Sequence, residues 1–380
     1  MVPKMQHVPF NRPSFTGREV EYLLRALENQ HISGNGDFTR NAERVLFELT
    51  GSRNLLTTSC SHALELAARL LEFKSGQEII VPSFTFVTSA SSFALHGGTP
   101  VFVDVDDQTL NIDPEDILRV ITPKTRAICV IHYAGIAAPM NEILEIAKSH
   151  SLTVIEDNAH GLGGKYFGRT LGTLGTLGTH SFHETKNISC GEGGSLVVND
   201  SEYFERAEIL REKGTDRSKF FRNQVDKYTW CDLGSSWVMS DLLAAILVAQ
   251  LERFESIWNL RHSIYSLYSS GLSDWATKHM IRTPVLPQFS EHTAHMFYLR
   301  FPNLEIRTAF IQHLAERNVN SVFHYQALHQ SGFGKSFRRS TKELTVSEAA
   351  SDCLVRLPLF NSMSIEQTNY VIEQCLAFVY

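Results

Sequence analysis

The sequence of 380 residues lacks the paired cysteines of small metal-binding and redox motifs. It contains only six cysteines, and no two of them are spaced as C-x-x-C. This spacing excludes a zinc ribbon and a thioredoxin-type redox motif, so we expect no metal site. Scattered single cysteines are typical of reduced side chains in a cytoplasmic protein. The six are Cys60, Cys129, Cys190, Cys231, Cys353 and Cys375.

Long apolar runs and glycine-rich nucleotide motifs are also missing. The longest apolar run, 242–249, is far shorter than the roughly 20 residues that a membrane helix needs. Residues 1–13 contain three prolines and no apolar core, so we expect no secretory signal. Without a G-x-G-x-x-G or Walker lysine motif, nothing supports a nicotinamide or nucleoside-triphosphate site. We expect a cytoplasmic protein that does not contact membranes.

The sequence also lacks an excess of basic residues over acidic ones. The net charge is −6 and the pI is near 6.2, whereas nucleic-acid-binding surfaces usually carry an excess of positive charge. Gly (23) and Pro (12) are not periodic, which excludes a fibrous chain. Hydrophobic residues make up 43% and charged residues 20%, as in globular proteins. We expect a globular protein without a nucleic-acid partner.

The sequence does contain apolar strand-like runs that alternate with helical stretches from about residue 54 to 200. Strands that are apolar throughout and separated by helices are typical of a parallel sheet covered on both faces. We therefore predict a doubly wound α/β domain. Its strands are predicted at 54–58, 78–82, 100–105, 127–132, 152–157, 179–183 and 195–198, and its helices at 64–71, 85–96, 115–121 and 140–149.

The order of elements changes in the last third of the chain. A long helix at about 240–258 is predicted to lead into a smaller α+β region. Its helices are predicted at 260–272, 307–317 and 365–378, and its strands at 295–301 and 319–323. We predict a large domain over residues 1–256 and a small domain over residues 257–380.

Three segments carry residues suited to chemistry. Thr58-Ser59-Cys60-Ser61-His62 places small side chains where a strand meets a helix. The free N–H groups of a helix N-terminus there would suit a phosphate, although Ser59 could also be a simple N-cap.

Asp157 ends an apolar strand and would face the crevice where open α/β sheets bind ligands. Its alternative role is to cap the following turn.

The third segment is 181–187, which precedes the glycine-rich Gly191-Glu192-Gly193-Gly194. Its Lys186 follows a predicted strand in surroundings that would desolvate the amine. Desolvation would lower the pKa of Lys186 and expose a neutral nucleophile for a carbonyl carbon. A surface lysine in a turn is the alternative.

The order of these segments resembles that of enzymes that use pyridoxal 5′-phosphate (PLP), since Lys186 follows Asp157 by 29 residues. Nearly the whole chain, from residue 9 to residue 360, is similar to the DegT/StrS family of nucleotide-sugar aminotransferases, which have the aspartate aminotransferase (type I) fold. Segments 182–187, 211–215 and 225–230 are most similar to the branch that makes dTDP-4-amino-4,6-dideoxygalactose.

The resemblance implies a role for each residue of a cofactor site. Lys186 would bind PLP covalently and act as the catalytic base, and Asp157 would pair with the ring nitrogen. His160 would lie near the phenolic oxygen, although a lone histidine is often structural. Phe86 would stack on the ring, unless it is a core residue. The phosphate would be held by Ser59, Cys60, Ser61 and Ser181.

Two departures from the family pattern affect the phosphate site. Many relatives have Ser-Gly-Thr where this chain has Ser59-Cys60-Ser61, but the backbone amides remain. Many also have an Asn that reaches the phosphate from the second subunit of a homodimer. Ser236 takes that position in Gly234-Ser235-Ser236-Trp237-Val238-Met239, and the following Arg of the family pattern is absent. A homodimer with shared active sites is implied by the family.

The resemblance implies that L-glutamate donates its amino group to C4 of dTDP-4-keto-6-deoxy-D-glucose, for the synthesis of a surface polysaccharide such as O-antigen or enterobacterial common antigen. Alternatives are a transaminase that makes the C4 epimer, one that uses a UDP-linked or 3-keto sugar, and a non-catalytic PLP-binding regulatory protein. A PLP sugar dehydratase would have histidine in place of Lys186. By position and chemistry, the residues that could line the sugar pocket, each with a structural alternative, are His183, Glu184, His324, Tyr325 and His329.

Overall fold

A computed structural model describes residues 7–15 and 18–380. The first six residues of the segment in which we expected no secretory signal lie outside the described residues. The helices are α1 Arg18–Glu28, α2 Asp37–Thr50, α3 Cys60–Leu71, α4 Thr88–Leu95, α5 Pro114–Val120, α6 Met140–Ser149, α7 Phe204–Arg211, α8 Arg217–Phe221, α9 Asp241–Leu251, α10 Phe254–Lys278, α11 Leu304–Ala315, α12 Thr345–Cys353 and α13 Ile365–Leu376. The strands are β1 Arg53–Thr57, β2 Glu78–Pro82, β3 Thr99–Val103, β4 Thr125–Ile131, β5 Thr153–Asp157, β6 Lys165–Tyr166, β7 Arg169–Thr170, β8 Leu177–Ser181, β9 Gly194–Val198, β10 Ser290–Glu291, β11 Tyr298–Arg300, β12 Val322–Phe323, β13 Arg338–Arg339 and β14 Leu354–Arg356.

An eight-stranded sheet forms the centre of the molecule, in the order β1-β9-β8-β5-β4-β2-β3-β13. All neighbours from β8 to β13 are parallel, while β9 runs antiparallel to both β1 and β8. Helices pack on both faces of this sheet, and two separate apolar clusters fill the space on its two sides. Burial on both faces is the reason that its strands are apolar throughout.

The register of the sheet brings three strand ends to one edge. Thr57 at the end of β1 and Ser181 at the end of β8 both pair with Gly194, and Asp157 at the end of β5 pairs with Thr179. A Cβ on Gly194 would lie 2.4 Å from the amide nitrogen of Cys60. Glycine is therefore required where β9 passes beneath the start of α3.

The C-terminal part of the chain builds a three-stranded antiparallel sheet in the order β11-β14-β12. Helices α10, α11 and α13 share an apolar cluster with this sheet. The predicted break after residue 258 is wrong, because α9 ends at Leu251 and α10 continues without interruption to Lys278. The chain turns at residues 252–253, where no glycine or proline marks a helix end.

The predicted division at residues 256 and 257 falls inside α10, and β13 pairs with β3 of the eight-stranded sheet. How the chain divides into domains stays a prediction. Within the part of the chain that the structure describes, no helix is long and apolar enough to cross a bilayer. Nor do these residues bring three or more His, Cys, Asp or Glu side chains together as a metal site.

Candidate active site

A cavity of about 660 Å³ opens at the edge where β1, β5 and β8 end. This volume is in the range that small-molecule sites occupy. The segments of the eight-stranded sheet form one wall, and residues of the C-terminal sheet form the other. Among its lining are the predicted site residues Ser59, Cys60, Ser61, Phe86, Asp157, His160, Ser181, His183, Lys186, His324 and Tyr325.

Asp157 is a buried carboxylate at the floor of this cavity. Its Oδ2 accepts a hydrogen bond of 2.7 Å from the Ser89 hydroxyl, and its Oδ1 accepts one of 3.3 Å from the Ala159 amide. Desolvation raises the pKa of Asp157, while Ser89 and the charge of Lys186 lower it. Two donors are few for a buried carboxylate, so the group is suited to a further N–H or cationic partner in the cavity.

Lys186 lies in the loop after β8 and lines the same cavity. Desolvation, with a smaller contribution from the charge of Arg356, lowers the pKa of Lys186 to about 8 against the opposing effects of Cys60 and Asp157. A sizeable fraction of the amine is therefore neutral near pH 8. A neutral amine is the form that attacks a carbonyl carbon.

The N-terminus of α3 provides the anion site predicted from the sequence. Ser59 is the N-cap, and its hydroxyl accepts a hydrogen bond of 3.1 Å from the His62 amide. The first amides of a helix have no partner within the helix and attract anions. Burial raises the pKa of the Cys60 thiol to about 12, so Cys60 adds no negative charge beside a bound phosphate.

His160 is stacked on His295, with ring centroids 4.3 Å apart and an interplanar angle of 16°. Burial holds the pKa of both imidazoles well below 6.5, with added effects of Lys186 and Arg356. His160 is therefore neutral. Its Nδ1 is buried and has no hydrogen-bond partner among the described residues. An unpaired buried nitrogen costs free energy unless a ligand satisfies it.

Arg261 holds together the segments that surround this pair. It is 2% exposed, and its guanidinium donates to the carbonyl oxygens of His295 (2.6 Å) and Ala294 (3.1 Å) and to the side chain of Asn361 (2.8 Å). Asn361 donates to the Asn187 carbonyl oxygen at 2.7 Å. The network thus connects α10 to His295 and to the residue that follows Lys186.

The opposite side of the cavity is aromatic. His324 Nδ1 and the Tyr133 hydroxyl share a hydrogen bond of 2.8 Å, and the His324 ring stacks on Tyr325 with centroids 3.4 Å apart. Tyr325 also contacts Phe86 at 6.0 Å between centroids. The Phe86 ring is 51% exposed, so one of its faces is available to a ligand in the cavity.

Three of the predicted site residues do not line this cavity. Glu184 is exposed, and its carbonyl oxygen accepts a hydrogen bond of 3.1 Å from Asn11. Ser236 is exposed on the surface. His329 is buried elsewhere: its Nδ1 bonds Ser83 Oγ at 2.6 Å and its Nε2 bonds Glu348 at 2.9 Å. Both ring nitrogens of His329 therefore have partners within the protein, and neither is available to a ligand.

Several residues that line or support the site were not predicted from the sequence. Ser89, His295 and Arg356 line the cavity, and Arg261 lies behind it. Arg356 stands in the run Arg356-Leu357-Pro358-Leu359-Phe360, where a guanidinium inside an apolar strand was a usable signal. Ser89 and His295 carry no comparable signal, because only the tertiary fold brings them to Asp157 and His160.

These residues fit PLP. The buried carboxylate of Asp157 could pair with the ring nitrogen, the unpaired Nδ1 of His160 could bond an oxygen substituent, and the N-terminus of α3 could hold the phosphate. Lys186 supplies an amine for covalent attachment. The fold and the site together define a PLP-dependent transferase of the aspartate aminotransferase (type I) fold class.

Comparisons with known proteins identify the family. The sequence model of the DegT/DnrJ/EryC1/StrS aminotransferase family matches residues 13–376. GDP-perosamine synthase of Escherichia coli O157:H7 is 31% identical over 376 residues, which cover 98% of this chain and 99% of that protein. The crystal structure of the aminotransferase TlmJ from Streptoalloteichus hindustanus is 27% identical, with a TM-score of 0.89 and 98% of each chain covered.

A third similar protein bears on the cofactor. Spr1654 of Streptococcus pneumoniae in its PLP form is 27% identical to this chain, with a TM-score of 0.88 and 97% and 98% of the two chains covered. The chain belongs to the DegT/DnrJ/EryC1/StrS aminotransferase family. It is a PLP-dependent sugar aminotransferase, so the predicted fold class, family and cofactor are confirmed.

Proposed function

We propose that the enzyme transfers the amino group of L-glutamate to C4 of dTDP-4-keto-6-deoxy-D-glucose. The products are dTDP-4-amino-4,6-dideoxy-D-galactose, for surface polysaccharide synthesis, and 2-oxoglutarate. The main support for amino transfer is that Lys186, Asp157 and His160 line one cavity. The galacto product and the dTDP carrier rest on the similarity of segments 182–187, 211–215 and 225–230 to that branch of the family.

Each of the three residues has a distinct task. When bound, PLP supplies an electron sink for the pair left behind when a proton leaves the carbon that bears the amine. Asp157, kept in place by Ser89, would hold a positive charge on the ring nitrogen through its carboxylate. The neutral imidazole of His160 offers its unpaired Nδ1 to an oxygen of the cofactor.

Lys186 both holds the cofactor and moves the proton. With the cofactor bound, Lys186 Nζ would take the α-proton from glutamate and later give it back, as general base and then general acid. Its pKa of about 8 is close to the pH at which such a group exchanges protons efficiently. In the second half of the reaction, Lys186 Nζ would move a proton in the opposite direction, onto C4 of the sugar.

The nucleotide and the stereochemistry at C4 are the open choices, and one experiment addresses both. The purified enzyme is incubated with L-glutamate and dTDP-4-keto-6-deoxy-D-glucose, and proton couplings at C4 of the product are measured by NMR. An axial amine supports the proposed galacto product, while an equatorial amine identifies the C4 epimer. A parallel reaction with GDP-4-keto-6-deoxy-D-mannose tests a GDP-linked substrate, which the similarity to GDP-perosamine synthase favours as a rival.

Failure of the sugar reaction has two separable meanings. If glutamate still removes the visible absorption of the bound cofactor, the donor is right and the sugar is wrong. If glutamate leaves the cofactor unchanged, the transaminase proposal itself fails and the non-catalytic alternative gains. UDP-linked and 3-keto sugars are tested in the same format.

We also propose a cytoplasmic homodimer with shared active sites. Ser236, which would reach the phosphate of the partner's cofactor, lies in a surface segment with unusual apolar exposure. Trp230 in this segment is 72% exposed and Leu233 is 64% exposed, and exposed apolar patches of this kind mark interfaces. Light scattering should give twice the chain mass of 42.9 kDa. A monomer that still transfers the amino group would contradict shared sites.

A further inference from the structure

The loop that carries Lys186 spans residues 182–193, between the end of β8 and the start of β9. Four hydrogen bonds join this loop to distant parts of the described chain. One of them runs from the Asn11 side chain to the Glu184 carbonyl oxygen. The other three all belong to Asn187, the residue that follows Lys186, and the transfer chemistry above gives Asn187 no task.

The side chain of Asn187 bonds two residues of one short segment. Its Nδ2 donates to the Thr293 carbonyl oxygen at 2.9 Å, and its Oδ1 lies 2.9 Å from Nδ1 of His295. A backbone carbonyl can only accept a hydrogen bond, so the amide directs Nδ2 toward Thr293 and Oδ1 toward His295. The Asn187 carbonyl oxygen accepts a third bond, of 2.7 Å, from the Asn361 side chain.

This arrangement also fixes the proton of the His295 ring. Because Oδ1 of Asn187 is an acceptor, Nδ1 of His295 carries the hydrogen. Burial keeps the pKa of His295 well below 6.5, so its Nε2 has no proton. No described residue bonds Nε2, and the ring lines the cavity. Asn187 thus presents an unprotonated nitrogen, instead of a cation, to the cavity that Lys186 also lines.

Thr293 is a rigid partner for Asn187, because it is fully buried and bonded to two further segments. Its amide donates to the Gly135 carbonyl oxygen, and its hydroxyl donates to the His160 carbonyl oxygen at 2.7 Å. A Cβ on Gly135 would lie 1.9 Å from the Thr293 hydroxyl oxygen, so this close approach requires glycine. Through Thr293, the segments that follow β4, β5 and β8 are joined to one another.

Arg261 fixes the other two partners of Asn187. Its guanidinium donates to the His295 carbonyl oxygen at 2.6 Å and to Asn361 Oδ1 at 2.8 Å. All three partners of Asn187 are therefore held by bonds of their own, outside the loop. A residue tied to such partners has little freedom to move, and the lysine next to it shares that constraint.

We propose that Asn187 is a positioning residue for Lys186, which keeps the amine at its depth in the cavity by tying the loop to the segment that contains Thr293. The inference rests on the role proposed above for Lys186. The amine is shielded from water only while it stays at that depth. A loop without these bonds would let the amine move toward solvent.

The loop has a second kind of anchor, which keeps it attached when the bonds of Asn187 are removed. The buried side chains of Phe182, Ile188 and Cys190 pack in an apolar cluster with residues of α2 and α9. Loss of the amide bonds should therefore change the position of the amine more than it changes the fold.

The test follows the ionisation of Lys186 in the full-length enzyme after its cofactor has been removed. Only the neutral amine captures PLP, so the capture rate, measured by stopped-flow absorbance across the pH range around 8, reports the pKa of Lys186. In Asn187→Ala, this pKa should rise toward its ordinary value of 10.5. We expect capture at neutral pH to slow by about tenfold, because the neutral fraction falls as the pKa rises.

Two further variants grade the effect. Asn361→Ala removes one of the three bonds, so a smaller rise in the pKa of Lys186 is expected. Ser189→Ala removes only a bond inside the loop, from the Gly191 amide to the Ser189 hydroxyl, and should leave the capture profile unchanged. Thermal unfolding shows whether each variant is folded, and Asn361→Ala carries the test if Asn187→Ala does not fold.

A pKa of Lys186 that rises in Asn187→Ala, and less in Asn361→Ala, supports the proposal. A wild-type capture profile in both variants overturns it, even where the unfolding temperature falls, since the bonds would then serve stability alone. An equal change in Ser189→Ala also overturns it, because any disturbance of the loop would then have the same effect.

These outcomes do not depend on the substrates proposed above, because capture is measured without glutamate or sugar. Failure of glutamate to change the bound cofactor would count against the transfer reaction and leave the positioning by Asn187 intact. Capture of PLP by Lys186→Ala with the wild-type rate and pH profile would overturn the role of Lys186, and this inference with it.

Discussion

The two walls of the active-site cavity are built on different physical principles. The wall on the eight-stranded sheet consists of strand ends and one helix N-terminus, so backbone hydrogen bonds of the sheet fix where Asp157 and the Ser59 cap lie. The wall on the C-terminal sheet is held by side chains, with Arg261 donating to three carbonyl oxygens and Tyr133 bonded to His324. In the proposed function, the first wall would carry the reacting groups and the second would position ligands around them.

This difference indicates which substitutions should change activity without changing the stability of the fold. A reacting group at a strand end can be exchanged for an isostere while the backbone keeps its hydrogen bonds. A buried side chain that satisfies several carbonyl oxygens cannot be replaced without leaving those oxygens unpaired. We therefore expect substitutions in the first wall to abolish chemistry in a folded protein, and substitutions in the second to change stability or ligand affinity.

The largest effect is expected for Lys186→Ala in the first wall. Removal of the base should reduce amino transfer by about 10²–10⁴-fold, while the temperature of unfolding stays near that of the wild type. Single-turnover reaction with glutamate measures the rate. Lys148→Ala, on the exposed side of α6, serves as the control. A Lys186→Ala enzyme with ordinary turnover would overturn the assignment.

Asp157→Asn should have the next largest effect. The amide keeps the shape and the contact to Ser89 but loses the negative charge, so we expect transfer to fall by roughly 10²-fold, as when a preorganised electrostatic contact is removed. Ser89→Ala removes one hydrogen bond to the same carboxylate and should reduce the rate by no more than about tenfold. Equal rates for the two variants would contradict the role of the charge.

Arg261→Met tests the second wall. The substitution leaves the Ala294 and His295 carbonyl oxygens without their donor, so the free energy of unfolding should fall by about 3 kcal/mol. Arg44→Met removes an arginine from an exposed pair with Glu48 on α2, and such pairs contribute about 0.5 kcal/mol at most. Urea denaturation compares the two. A small loss for Arg261→Met would show that the network is not needed for stability.

The smallest effect concerns pH. In the cofactor-free protein the Lys186 amine has a pKa of about 8, and covalent capture of PLP needs the neutral form. The capture rate should therefore rise about tenfold per pH unit below 8 and level off above it. His160 and His295 add no step above pH 6.5, because both have pKa values well below that. Stopped-flow absorbance measures the profile, and a rate still rising at pH 10 would contradict it.

The sequence predicted the first wall far better than the second. Strand β2 and helix α6 have the bounds read from the apolar pattern, because each is flanked by clear turn or cap residues. Asp157 was recognisable because local sequence places it at a strand end, and Lys186 because it stands in a short loop between a predicted strand and a glycine-rich segment. Arg261 was not, since nothing within one helix turn distinguishes it from a surface arginine on an amphipathic helix.

His329 is a residue that was predicted at the site but lies elsewhere, and the local sequence could not reveal this. It is near His324 in sequence and similar in chemistry, yet its two nitrogens are bonded to Ser83 and Glu348, away from the cavity. The difference depends on contacts to residues distant along the chain, and no local pattern encodes them. The break between α9 and α10 was missed because no glycine or proline follows Leu251 to mark the end of α9.

The N-terminal segment 7–15 has a consequence for the order of folding. Val8 pairs with Val319, and Phe10 stacks on Arg356, so the first described residues find their partners almost at the other end of the chain. Contacts of such long sequence separation form late. These contacts can form only after residues 319 and 356 have been synthesised, so the wall of the cavity that Arg356 and Phe10 share is completed by the two ends of the chain together.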